Sequence, residues 1–242
     1  MTSQATYFGA NGWLLEIADL RVLVDPWLSG PLIFPPGPWM LRGELPHPWP
    51  VPEKLDLLLL TQGLADHAHR PSLELLPRDL PVVGSAAAAR VVSQLGFEHI
   101  KTLRPGDACS IKGLNIEATA GAAVPNIENG YLLDWNSGSL YLEPHGALDP
   151  NLAPRSVDTV ITPVIDMGLP LVGSFITGAS VLPELVKRFE PSTVLASTTG
   201  GDVTFTGLIS ALLRGEDTNP AVDERVVIPV PGEACTLKTQ AE

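Results

Sequence analysis

The sequence predicts an α+β fold, an αββα sandwich of four layers in which two sheets face each other with helices outside. Three observations carry this. Short apolar runs of strand length recur along the chain, and helical segments separate several of them. The middle, residues 100 to 142, instead shows short alternating runs divided by Gly and Asn turns, as in antiparallel hairpins. Finally, 45% of the 242 residues are hydrophobic, ample for a sizeable core.

Taken in order, the predicted strands are 22–24, 57–60, 82–83, 157–161, 194–195 and 226–230. Each is rich in Val, Ile or Leu, too continuous for one solvated face, so they read as buried strands. The stretch 85–96 is a helix: Ser85 caps it, alanines favour it, and Gly96 ends it. From Val181 to Phe189 apolar residues recur at i, i+1, i+4, i+5 and i+8, one buried face before Pro191. Residues 205–213 repeat that pattern and stop at Arg214-Gly215. Length alone allows one large domain or two small ones; the order of elements is read as a single domain over 1–242.

Charge and composition narrow the partners. The formal net charge is −12, and the fifteen Lys and Arg are scattered without a run. Nucleic-acid binding needs clustered cations to displace phosphate counterions, so no nucleic-acid partner is expected. A small anionic substrate needs only one or two local cations, such as Arg42, Arg70 or Arg104, although each reads more readily as a solvated surface residue. No apolar run reaches the roughly eighteen residues that span a bilayer, and the N-terminus lacks a basic segment followed by an apolar one. Cys109 and Cys235 are too few for a disulfide framework. The expectation is a cytoplasmic protein with no membrane partner and a small-molecule substrate; the oligomeric state is open.

Residues 29–52 break the pattern, with eight prolines, Phe34, Trp39 and Trp49 and no helical or strand period. So long an insertion is functional or disordered, and its aromatics argue for packing. It is read as ordered, and a rigid surface loop covering a sheet edge fits it well; a position over the site, with Trp39 or Trp49 walling the pocket, is what the family resemblance carried by residues 57–69 implies equally.

The segment Leu57-Leu58-Leu59-Leu60-Thr61-Gln62-Gly63-Leu64-Ala65-Asp66-His67-Ala68-His69 points to chemistry. A buried strand delivers Asp and His to its C-terminal end, a common way to build a metal or hydrolytic site. It resembles the signature of the metallo-β-lactamase superfamily, a strand ending in Thr followed by His-x-His-x-Asp-His. Thr61, Asp66 and His67 match; Gln62 and Leu64 stand in place of the first two histidines. The resemblance, to the lactonase-like branch, extends to 7–17 and 21–27 as an opening hairpin with an Asp25-Pro26 turn. It extends also to 129–133 and 139–142 as a mid-chain hairpin, and in all covers roughly residues 5 to 235.

The resemblance implies a metal-dependent hydrolase with an altered site. The family's third histidine is replaced by Ala122, and the segment that usually bears a bridging aspartate reads Glu143-Pro144-His145-Gly146. Gln62, Leu64 and Ala122 remove the first metal position. Asp66, His67, Glu143 and His145 could serve the second, for at most one divalent ion, zinc, manganese or iron. Asp66 and His67 are the catalytic candidates; His69, Gln62, Asp166 and Trp39 are candidate substrate contacts. Asp66 could instead cap the helix near Pro71, and His67 could be a core histidine. Two functions follow: a hydrolase of a small ester, lactone or phosphoester, or a catalytically silent protein that binds a small molecule or partner.

Overall fold

A computed structural model describes residues 3–123, 127–169, 173–197, 203–210, 214–215 and 223–238. Its first large sheet runs, edge to edge, through β20 (Ala234–Thr236), β1 (Gln4–Gly9), β2 (Gly12–Ile17), β3 (Leu20–Val24), β6 (Leu57–Leu60), β7 (Val82–Gly84) and β8 (Ile100–Thr102). The second runs through β19 (Val226–Val227), β16 (Thr193–Ser197), β13 (Thr159–Pro163), β12 (Gly138–Leu142), β11 (Ile127–Trp135), β10 (Leu114–Ala123) and β9 (Ala108–Ile111). The helices are α1 (Arg70–Leu73), α2 (Ala86–Gln94) and α3 (Gly178–Phe189).

The two-residue period of a strand explains the layers. Leu57 and Leu59 point inward and join Trp13, Val22 and Val24 against Ile116, Tyr131, Leu140 and Ile161 of the second sheet. Leu58 and Leu60, one residue out of step, pack outward under Leu73, Ala88 and Val92 of α1 and α2. On the far side Tyr141, Val160 and Val194 receive Leu185 and Phe189 of α3. The four-leucine run is therefore buried on both faces, and the predicted αββα sandwich follows.

Local chemistry sets the helix ends. Ser85 caps α2 by accepting a hydrogen bond from the Ala88 amide at 3.3 Å. Gly63 lets the loop after β6 lie directly on that first turn. A Cβ at this position would fall 2.7 Å from the Ala87 carbonyl carbon and 2.8 Å from its Cβ. Gly63→Ala is expected to cost about 1–3 kcal/mol through this overlap, read from urea denaturation midpoints.

Three expectations need correction. Residues 205–213 do not begin as a helix: Thr204–Thr206 form β17, which pairs with β5 (Arg42–Glu44), and 211–213 lie outside the described residues. The strand expected at 226–230 is confined to β19. The proline-rich insertion contains strands, since β4 (Leu32–Ile33) and β5 pair and make a small sheet with β17. Prolines on both sides keep these strands short, which hid their period. A second small sheet joins β14 (Asp166–Leu169) to β15 (Gly173–Thr177) and β18 (Arg214–Gly215).

Candidate metal centre

The site lies where β3, β6 and β12 end. Asp25, the residue after β3, is 1% exposed and adopts a left-handed backbone, φ 40°. Its carboxylate accepts hydrogen bonds from the Thr61 amide at 2.8 Å and the Thr61 hydroxyl, and meets Nδ1 of His67 at 2.8 Å. His67 is fully buried, and its amide reaches back to the Leu64 carbonyl, turning the loop so that Asp66 and His67 face the strand ends. Its Nε2 lies 3.3 Å from Asp66 Oδ2 and 3.2 Å from Asn11 Nδ2. The imidazole is thus clamped between two carboxylates.

The opposite wall comes from the loop after β12. His145 lies with its ring centroid 5.1 Å from that of His67, and its Nδ1 is 2.8 Å from Gln62 Nε2. Glu143 is held by backbone: its carboxylate accepts from the amides of His145 at 2.9 Å, Ala147 at 2.6 Å and Ala122 at 3.3 Å. Gly121 makes room for it, since a Cβ there would stand 3.0 Å from Glu143 Oε1. The sequence expectation counts Glu143 among the metal ligands; the structure instead gives its two oxygens to amides and leaves it outside the Asp66, His67 and His145 cluster. A carboxylate two residues before His145 finds backbone donors in its own loop, and it fixes the loop's shape.

Electrostatics divide the groups. Burial alone would lower the His67 pKa, but Asp66 and Asp25 outweigh it and hold the imidazole up at about 10. Burial, then the charge on His67, pushes His145 down to about 4, so it is neutral. Burial raises Glu143 to about 7 against its three amide donors. Asp66 is held low because His67 outweighs its burial, whereas burial wins at Asp25 and raises it.

Asp66, His67 and His145 each offer a ligand atom, all within 4.8 Å of one another. One oxygen and two imidazole donors suit a divalent ion with an open position. Asp66 Oδ1 and Gln62 Oε1 are buried without hydrogen-bond partners. Turning the Gln62 amide over would let its Oε1 accept from the His145 Nδ1–H and leave the His145 imidazole Nε2 free for a metal. The Asp25 carboxylate on Nδ1 of His67 orients the ring as carboxylates behind metal-bound histidines do. The donor set therefore fits one metal ion, which would replace the proton shared by His67 and Asp66.

Other candidates stand elsewhere. His69 bonds through Nδ1 to the Ser72 hydroxyl at 2.9 Å and through Nε2 to the Pro31 carbonyl at 3.2 Å, fastening α1 to the insertion. Trp39 is 60% exposed and does not wall the site, and Trp49 packs on Phe8 and His47. Asp166 accepts from the amide and hydroxyl of Ser180 in α3. The stretch Thr198-Thr199-Gly200-Gly201-Asp202, whose amides and hydroxyls would suit an anion by sequence, lies outside the described residues. Asp25 and Asn11 were missed as site residues; a strand ending in Asp-Pro was the signal for the first, and nothing in the sequence singled out the second.

Comparison with known proteins follows the same lines. The sequence profile described as Beta-lactamase superfamily domain matches residues 4–197. A stretch of 102 residues is 36% identical to cytidine monophosphate-N-acetylneuraminic acid hydroxylase of Asterias rubens, covering 40% of this chain and 15% of that protein. A stretch of 143 residues is 24% identical to a metal-dependent hydrolase of Pyrobaculum calidifontis, 57% of this chain and 59% of that one. The chain thus spans less than two thirds of either relative. Among solved structures, isothiocyanate hydrolase from Delia radicum gut bacteria superposes with a TM-score of 0.71 at 18% identity, over 97% of this chain and 100% of that one. A metallo hydrolase from Ignicoccus hospitalis does so with a TM-score of 0.66 at 16% identity, over 99% and 100%. At such identities the likeness speaks for the fold.

Proposed function

Since the chain belongs to the Beta-lactamase superfamily domain family, we propose that it is a metal-dependent hydrolase with a single-metal site, acting on a small ester, lactone or phosphoester. The observation that carries this reading is the convergence of Asp66, His67 and His145 within 4.8 Å. The proposed ion is zinc, manganese or iron. When bound, such an ion lowers the pKa of water and polarises a carbonyl or phosphoryl oxygen. A second ion is disfavoured because the side chains of Leu64 and Ala122 carry no metal-ligating atom and the Gln62 amide is engaged with His145.

The chain's own residues supply orientation. Asp25 holds His67, Gln62 holds His145, and the amide-bound Glu143 fixes the loop that carries His145. The side chain of Asp66, 20% exposed, is the most open of the three donors and marks the side from which a substrate would come. The Pyrobaculum calidifontis relative named as a metal-dependent hydrolase supports the reaction class. The net charge of −12 supports a small-molecule substrate over nucleic acid. Among the described residues no helix is long and apolar enough to cross a membrane; a cytoplasmic location is part of the proposal.

The test is hydrolysis of aryl acetate, γ-lactone and aryl phosphate probes by protein loaded with each metal. Turnover by the parent, with loss of about a hundredfold or more in kcat/KM for His145→Ala, is the expected result. A second reading, a silent binding protein, is favoured by the clamped His67, whose two nitrogens already have carboxylate partners. It becomes the better one if no metal binds and no probe turns over.

A further inference from the structure

Outside the Asp66, His67 and His145 cluster, a cavity of ≈250 Å³ opens between the first turn of α2, the segment after β8 and the start of β11. Its wall includes Ser85, Arg90, Arg104, Glu128 and Asn129. We propose that this cavity binds a small 2-hydroxycarboxylate. Its carboxylate would lie between Arg90, Arg104 and the first amides of α2, and its hydroxyl would donate to Glu128.

Glu128 is the unusual member. It is 3% exposed, it belongs to the cavity wall, and its Oε2 has no hydrogen-bond partner. An orphaned buried carboxylate oxygen costs stability and is retained where something fills the need. Ser85 and Arg90 act on this carboxyl favourably, but burial outweighs them and raises its pKa. Ser85 hydrogen-bonds the carboxyl, and Oε2 is the atom still without a donor.

The cations show what else the ligand carries. Among the described residues neither Arg90 nor Arg104 has an ion-pair partner, in a chain where acidic residues outnumber basic ones by 27 to 15. The first turn of α2 adds to them. Its Ala88 and Ala89 amides are bonded to Ser85, which leaves those of Ala86 and Ala87 as the helix's open donors. A bare anion would meet the cations but leave Glu128 Oε2 without a donor and the carboxyl beside a like charge. A neutral alcohol would do the reverse. A hydroxyl adjacent to a carboxylate answers both, and the volume, below the roughly 300–1,000 Å³ of sites for drug-sized ligands, suits a small metabolite.

The experiment is titration of the full chain with sodium glycolate, and with sodium acetate as the analogue lacking the hydroxyl, followed by amide NMR shifts at low salt. Glycolate is expected to saturate one site with shifts at 85–90 and 128–129, and to bind about tenfold or more tighter than acetate. Arg90→Ala, an exposed change on α2, should weaken glycolate at least fivefold. Glu128→Leu should abolish its preference over acetate while leaving Tm unchanged or raised. Absence of saturable glycolate binding, equal affinity for acetate, or binding indifferent to Arg90→Ala would each overturn the proposal.

Discussion

Asp25→Ala is expected to destabilise the protein by about 3–5 kcal/mol, the cost of leaving a buried charge without its partner. Asp25 is the only carboxylate on the Nδ1 side of His67 among the described residues, and it also accepts from both the amide and the hydroxyl of Thr61. Alanine strands all three donors where water does not reach. For a chain of this size the loss corresponds to roughly 6–20 °C in Tm. Asp25→Asn, which keeps an acceptor for Thr61 but not the charge, should fall between. Calorimetry showing Asp25→Ala within 2 °C of the parent would mean that His67 is held by something else.

The second large effect is on the alkaline side of the metal-free protein. His67 is raised from 6.5 to about 10 in the fold, so the folded state binds its proton more tightly than the unfolded chain does. That contribution is fully present below pH 6.5 and is lost as pH rises through 10, by on the order of 3–5 kcal/mol. His145 runs the other way. Its folded pKa is depressed to about 4, so its contribution is present above 6.5 and lost as pH falls towards 4. Urea midpoints from pH 6 to 10 should therefore decline, and His67→Gln should flatten the decline. The variant is also expected to be less stable at neutral pH, because it leaves Asp25 and Asp66 without the cation between them. A parent whose stability is level across that window would contradict the doubly paired imidazolium.

Much of the architecture was legible because strand burial writes itself into composition. The leucine run at 57–60, the Ser85 cap and the turn-separated middle each reflect one local rule. The elements that failed, at 205–213 and in the insertion, depend on pairing between segments far apart in sequence. Thr204–Thr206 are strand only because β5 lies beside them, and no local period records a distant partner. The site divides in the same way. Asp66, His67 and His145 were visible as residue types at strand ends. Where Glu143 points was not, because its three amide donors come from backbone that the fold brings together. Asp25 was in plain view before Pro26, yet nothing in the sequence states that its carboxylate reaches past Thr61 to His67.

A single metal held by Asp66, His67 and His145 is the proposed state of the site. It is tested most directly by elemental analysis of protein refolded and equilibrated with zinc, manganese or iron, then freed of loose ions. One ion per chain is expected for the parent, and about a tenfold or greater loss of affinity for His145→Ala. Two ions per chain, or one ion retained undiminished by both His67→Gln and His145→Ala, would contradict it.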